Sequence, residues 1–254
     1  FDASFSTRYN SEFWDMIEIF ESMEIWNGAT PFAAGTINAK AFKKWLSLLD
    51  EGKRLTATTG SDTHNIYGDD YFGMTEWLDW LMDIVMKHPE IYPEQMNEKV
   101  AYLTWLYKKV WPRLLSWVEQ SNTPSTIHNY VYTNGKNQPQ EILQAIREGH
   151  SFISNGPLIT AEINGVSYGD TATLKDNTGK LSVHVFSKKP INHLWMYTGV
   201  DKKVEICTGS GSLEGGFAYD IVTDEFDFGG ASWALFVADG GENNLAISNP
   251  ILFA

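Results

Sequence analysis

The chain has 254 residues, 43% of them hydrophobic and 14% aromatic, which is enough to bury substantial cores and excludes a disordered polypeptide. Its 19 basic and 32 acidic residues give a net charge of -13, so no basic face is available for nucleic acid. No apolar run approaches the ~20 residues of a membrane span. The lone Cys207 excludes an internal disulfide, and the compartment stays open between bacterial periplasmic or extracellular and cytoplasmic.

The first part of the chain, residues 1–150, has the pattern of helices that alternate with short strands. After a first helix capped by Ser11, the apolar pair Ile25 and Trp26 predicts a strand that ends in an Asn-Gly turn. Asn38 is then a candidate N-cap of a helix whose apolar residues recur at spacings of three and four. The β-branched residues 55–59 predict a second strand, which leads directly into Gly-Ser-Asp-Thr-His at residues 60–64.

The segment at about residues 72–123 is rich in tryptophan and predicts a helical insertion. Its apolar residues recur at helical spacings, which is typical of a packed helical hairpin. A lid over a substrate site or a face for dimer formation is the alternative use of the same pattern.

The remainder of the chain changes from helical to strand-like patterning. A further helix is expected from Pro139 to Gly149, with proline and glycine at the ends where each is favoured. Beyond it, short β-branched or aromatic segments alternate with clusters of glycine, asparagine and aspartate. Residues 151–254 are therefore predicted to form an all-β sandwich domain.

Asp62 and His64 are the strongest candidates for chemistry in the sequence. They lie two residues apart after the predicted strand 55–59, and in parallel α/β folds the loops at the carboxyl ends of strands face the ligand. Aspartate oxygen and histidine nitrogen suit Zn, Mn or Fe as ligands. From spacing alone, an Asx turn beside a surface histidine is the favoured interpretation.

Four motifs occur in the same order as in a known family. They are Met-Glu-Ile-Trp-Asn-Gly at 23–28, Gly-Ser-Asp-Thr-His at 60–64, the helix and Asn-Gly-Pro strand within 141–157, and Ser-Asn-Pro-Ile at 248–251. Together they resemble the polymerase and histidinol phosphatase (PHP) superfamily, in its CehA/McbA-like branch. The resemblance implies an α/β fold, with part of a PHP-type (β/α) barrel and the helical insertion in residues 1–150, followed by the sandwich.

The resemblance also implies a function, that of the carboxyl-terminal portion of a metal-dependent hydrolase acting on a small-molecule phosphoester, ester or amide. Asp62 and His64 would be metal ligands for Zn, Mn or Fe, while Glu24, Asn27 and His128 would contact substrate or support the ligands. No histidine precedes His64, so the family's amino-terminal His-x-His has no counterpart in this sequence.

Because two ligands do not hold a catalytic ion, we expect the chain by itself to be incomplete and inactive on p-nitrophenyl phosphate and esters. The missing ligands would come from an upstream PHP segment or another copy of the chain. We also expect strand 23–26 or strand 55–59 to have an unpaired edge and an exposed apolar face, unless residues 77–117 cover them.

A non-catalytic binding protein is the alternative function. In that case the α/β half is a degenerate relic, and the sandwich recognises a carbohydrate or a protein partner. Trp195, Tyr197 and Trp233 are candidates for an aromatic sugar platform, although their alternation along strands fits a core equally well.

Overall fold

The structure is a computed structural model that describes residues 19–28, 32–60, 87, 127–207, 211–213, 215–241 and 244–254. The chain divides into two compact units, one formed by residues 1–60 with 127–254 and the other by residues 61–126. All elements below belong to the first unit. The predicted helix from Ser11 and, apart from Lys87, the predicted insertion at 72–123 lie outside the described residues.

A parallel strand pair with one crossover helix forms the amino-terminal part of this unit. Strand β1 (Ser22–Asn27) pairs in parallel with β2 (Thr56–Gly60), and helix α1 (Ile37–Asp50) connects them. Both predicted strands and the predicted helix are confirmed. The apolar face of α1 is buried because Phe42, Trp45 and Leu49 recur at spacings of three and four.

The second described helix, α2 (Pro139–Arg147), begins at its proline as predicted. Gly149 follows the helix with a φ of 80°, a left-handed conformation that glycine adopts without strain. A substituted Cβ at Gly149 would also lie 3.2 Å from Gly169 Cα. Within the described ranges, neither helix has the length and apolar character required to cross a membrane.

Two sheets make up the rest of the unit. Their strands are β3 (His128–Val131), β4 (Ser151–Ser154), β5 (Leu158–Ile163), β6 (Val166–Ser167), β7 (Thr171–Ala172), β8 (Thr178–Ser187), β9 (His193–Gly199), β10 (Lys202–Cys207), β11 (Gly211–Leu213), β12 (Gly216–Asp227), β13 (Trp233–Asp239), β14 (Leu245–Ser248) and β15 (Ile251–Phe253). The eight-stranded sheet has the order β10-β9-β13-β14-β4-β3, with β15 joining β13 and β7 joining β15, and the five-stranded sheet has the order β11-β12-β8-β5-β6.

Strand β13 shows how the layers are stacked, because it is covered on both faces. Ala234, Phe236 and Ala238 pack toward the five-stranded sheet. Trp233 and Leu235, which alternate with them, pack in a second core with residues of β1, α1 and β2. The eight-stranded sheet is therefore the central layer, with the five-stranded sheet on one side and the parallel pair with its helix on the other.

The predicted partial (β/α) barrel is wrong. Strands make up 49% and helices 16% of the described residues, the sheets are largely antiparallel, and these residues form no barrel. A barrel of parallel strands requires a helical crossover after each strand. Only β1-α1-β2 has this arrangement among the described elements; the next described strand, β3, instead pairs antiparallel with β4 of the large sheet.

Candidate functional site

The carboxyl ends of β1 and β2 lie side by side and form the start of the candidate site. Asn27 and Gly60 are the last residues of the two strands and are register partners. The Gly28 amide donates to the Gly60 carbonyl at 2.7 Å, which ties the two ends together. Asp62 and His64 follow Gly60 by two and four residues and lie outside the described residues.

Glu24 reaches the same strand ends. A Cβ atom placed on Gly60 would lie 2.8 Å from Glu24 Oε2, so the carboxylate lies against the Gly60 backbone where only glycine leaves room for it. Asn27 Nδ2 donates a long hydrogen bond of 3.5 Å to Glu24 Oε1. Glu24 and Asn27, both predicted site residues, are thus brought together at the first residue of the Gly-Ser-Asp-Thr-His segment.

Asn38 holds the end of β1 in place, and this role was missed by sequence reasoning. Its Oδ1 accepts from the Asn27 amide at 2.9 Å, and its Nδ2 donates to the Asn27 carbonyl at 3.0 Å. The predicted N-cap role of Asn38 is wrong, because the helix is capped by Thr36, whose hydroxyl accepts from Ala39 N. Asn38 is only 1% exposed, so both bonds are shielded from water.

Two further asparagine side chains bind the edge of β2 that faces away from β1. Asn129 Oδ1 accepts from Thr59 N at 3.0 Å and its Nδ2 donates to Thr59 O at 2.8 Å. Asn249 Oδ1 accepts from Ala57 N at 2.6 Å and its Nδ2 donates to Ala57 O at 3.3 Å. The amides thus replace a neighbouring strand at alternate residues.

The expected open edge and exposed apolar face are therefore not found at β2. Its outward backbone groups at Ala57 and Thr59 are bonded by the two amides, and Leu55, which precedes the strand, is only 3% exposed. Trp26 of β1 is 5% exposed and packs against Phe32, with ring centroids 5.3 Å apart. Both apolar faces are buried.

His128 occupies a different position from the other predicted residues. It is an exposed residue of β3 whose ring lies 6.0 Å from that of Tyr130, on the same face of the strand. Neighbouring strand residues point to opposite faces, and it is Asn129 that reaches β2. The predicted substrate contact of His128 stays a prediction.

The metal site cannot be completed from the described residues. No group of three His, Cys, Asp or Glu side chains in the described ranges is arranged to hold a metal ion. The chain also has no significant match among protein-family models, curated proteins or solved structures. The resemblance to the PHP superfamily therefore remains a prediction that depends on the motifs themselves.

The three aromatic residues of the alternative sugar platform do not form an open surface. Trp233 is 1% exposed and belongs to the core. Tyr197 packs edge-on against Phe42 at 5.5 Å, and burial, with a smaller effect of Asp239, raises the pKa of its hydroxyl. Lys203 Nζ lies 3.9 Å from the centre of the Trp195 ring and covers it.

Proposed function

We propose that this chain is part of a metal-dependent hydrolase in which Asp62 and His64 bind a divalent Zn, Mn or Fe ion. The observation that supports this most directly is the Glu24 carboxylate against Gly60, since it brings negative charge to the start of the segment that carries both ligands. A metal ion held there would supply Lewis acidity and would lower the pKa of a water molecule bound to it.

The described residues have supporting roles in this proposal. Asn27 orients the Glu24 carboxylate through its Nδ2, and Asn38 fixes the backbone of Asn27. Such groups behind metal ligands set their orientation and basicity. Further ligands would come from residues outside the described ranges, from a preceding segment or from another copy of the chain. Substrates are small molecules with a phosphoester, ester or amide bond, and His128 would contact an anionic group on them.

Metal binding by the chain itself is the first test. We expect Zn²⁺ and Mn²⁺ to bind weakly in calorimetric titrations, and Asp62→Asn and His64→Gln each to lower the affinity by about tenfold or more. His193→Gln is the matched control, because it removes an exposed histidine that is paired with Glu205 elsewhere. Equal affinities in the wild type and both ligand variants would disprove the proposal.

The role of Glu24 is tested by a pair of variants. Glu24→Gln removes the charge, whereas Gly60→Ala forces the carboxylate away without changing any ligand, because the new Cβ would lie 2.8 Å from Oε2. We expect both variants to weaken metal binding. If metal affinity falls in Gly60→Ala but not in Glu24→Gln, the backbone geometry at Gly60 is decisive and the Glu24 carboxylate has no role in metal binding.

A further inference from the structure

The outer face of the five-stranded sheet carries a second group of reactive side chains, far in sequence from the candidate metal site. On β8, Ser182 and His184 are two residues apart and therefore share this face. Asp220 of β12 is the direct register partner of His184. The side chains of His184 and Asp220 are 52% and 68% exposed, so the group is open to solutes.

The three side chains are linked in the order that a serine nucleophile requires. Ser182 Oγ lies 3.0 Å from His184 Nε2, and His184 Nδ1 lies 2.6 Å from Asp220 Oδ1. A carboxylate oxygen only accepts, so Nδ1 carries the proton and donates to Asp220. In the neutral ring Nε2 is then an acceptor, and the Ser182 hydroxyl donates to it. This is the tautomer in which histidine acts as a general base toward serine.

We propose that Ser182, His184 and Asp220 form a nucleophilic site that hydrolyses uncharged, activated esters. Ser182 Oγ forms a bond to the ester carbonyl carbon while His184 Nε2 takes the hydroxyl proton. The ester C–O bond breaks as His184 Nε2 gives this proton to the leaving alcohol or phenol oxygen, which leaves acyl-Ser182. Water then attacks the acyl carbon while His184 Nε2 takes its proton, the bond from the acyl carbon to Ser182 Oγ breaks, and His184 returns the proton to Oγ, which releases the carboxylic acid and free Ser182.

The surroundings of Ser182 define the class of substrate. The strand pairing of β8 with β5 and β12 uses its backbone N–H groups, so a backbone oxyanion hole is absent from this stretch of sheet. Rate enhancement is therefore modest and favours esters with a good leaving group. Glu162 of β5 is the register partner of Ser182 on one side and disfavours anionic acyl groups. The exposed Val222, its partner on β12, offers an apolar contact.

This activity is separate from the proposed metal-dependent hydrolase. The reaction at Ser182 needs no metal ion, so it persists in EDTA and in Asp62→Asn. The expected inactivity of the chain on esters follows only from its incomplete metal site, so ester hydrolysis at Ser182 would contradict that expectation without any change at the metal site. The two proposals therefore fail or succeed independently.

Covalent labelling of the full chain in EDTA is the decisive experiment. A fluorophosphonate probe forms a bond from phosphorus to Ser182 Oγ as fluoride leaves, and mass spectrometry of the digested protein locates the adduct. We expect labelling at Ser182 that is lost in Ser182→Ala and falls about tenfold or more in His184→Gln. Asp220→Asn is expected to reduce it as well, since the carboxylate orients the ring.

Hydrolysis of p-nitrophenyl acetate in EDTA gives the second readout. We expect the hydrolysis rate to be lost in Ser182→Ala and to fall in His184→Gln and Asp220→Asn, as for labelling. His193→Gln is the control, because His193 also pairs with a carboxylate, Glu205, and is exposed. It is expected to leave both labelling and hydrolysis unchanged. Absence of an adduct at Ser182, or equal labelling in the wild type and His184→Gln, would overturn the proposal. Equal hydrolysis by the wild type and Ser182→Ala would also overturn it.

Discussion

The parallel pair β1–β2 and the antiparallel sheets hold their strands in different ways. In the sheets, internal strands such as β8 and β13 bond to backbone on both sides. In the parallel pair, the end of β1 and the outer edge of β2 are bonded by the side chains of Asn38, Asn129 and Asn249. The region next to the candidate metal site therefore depends on single amide groups, and we expect single substitutions to affect it most.

The largest effect is expected for Asn249→Ala. Asn249 is fully buried, and besides its two bonds to Ala57 its Nδ2 donates to Ser151 O at 2.9 Å. Removal leaves the buried amide and carbonyl of Ala57 without this partner and takes one of the donors from Ser151 O, at a cost of about 3 kcal/mol in the free energy of unfolding. Urea denaturation followed by tryptophan fluorescence measures this.

Ser187→Ala is the control for Asn249→Ala within the antiparallel region. Ser187 is also fully buried and donates to Asn244 Oδ1 at 3.0 Å, but unlike Asn249 it makes no bond to the backbone of β2. We expect a loss of about 1 kcal/mol. Equal losses of unfolding free energy in Asn249→Ala and Ser187→Ala would show that the parallel pair depends no more on single side chains than the antiparallel sheets do.

A smaller loss, about 2 kcal/mol, is expected for Asn38→Ala, which leaves the half-buried amide and carbonyl of Asn27 without the Asn38 side chain. The effect should also be local. Hydrogen exchange measured by mass spectrometry should show faster exchange at the end of β1, with β8 and β12 unchanged. Uniformly faster exchange would show that the parallel pair and the sheets unfold as one cooperative unit.

The alkaline stability of the sheet region depends on Tyr168. Burial, together with a smaller charge effect from Tyr132, raises the pKa of Tyr168 from 10.0 to about 12. The resulting stability, on the order of 2 kcal/mol, is fully present below pH 10 and is lost as the pH rises from 10 to 12, because the unfolded chain loses its proton first. Tyr168→Phe should make the free energy of unfolding less dependent on pH between pH 10 and 12. If the free energy of unfolding falls equally in Tyr168→Phe and in the wild type over this range, Tyr168 is not the group responsible.

The smallest effect is expected for Trp233→Phe. Trp233 Nε1 is buried without a hydrogen-bond partner in the described part of the chain. Removing this unbonded N–H group offsets the cost of the smaller phenylalanine ring, so the free energy of unfolding should change by no more than about 1 kcal/mol. Trp45→Phe is the matched variant, since the equally buried Trp45 donates from Nε1 to Leu55 O at 2.8 Å. Trp45→Phe should lower the free energy of unfolding by at least about 1 kcal/mol more than Trp233→Phe does. Equal losses in the two variants would mean that the bond from Trp45 to Leu55 does not contribute to stability.

Strand and helix positions could be predicted because they depend on local patterns. The β-branched and alternating segments gave the strands now seen as β8, β9 and β13, and the spacing of Phe42, Trp45 and Leu49 gave α1. Their pairing could not be predicted in this way. Whether β3 joins a parallel or an antiparallel neighbour depends on where the chain returns, which no local pattern records.

The site was predictable in part for a similar reason. Glu24 and Asn27 lie in a recognisable motif, and the structure brings them together at Gly60. Asn129 was missed, although asparagine within a strand is uncommon and signals a special role. His184 and Asp220 are separated by 36 positions, so only the strand register reveals that they meet.

The bond between Asn249 and Ala57 has a consequence for biosynthesis. The two residues are 192 positions apart, and at about 5–20 residues per second the ribosome needs roughly 10–40 s to cover this distance. During that interval β2 has emerged but cannot receive the amide that closes its edge. The nascent chain therefore carries an open strand edge at Ala57, a template for wrong pairing, during this interval.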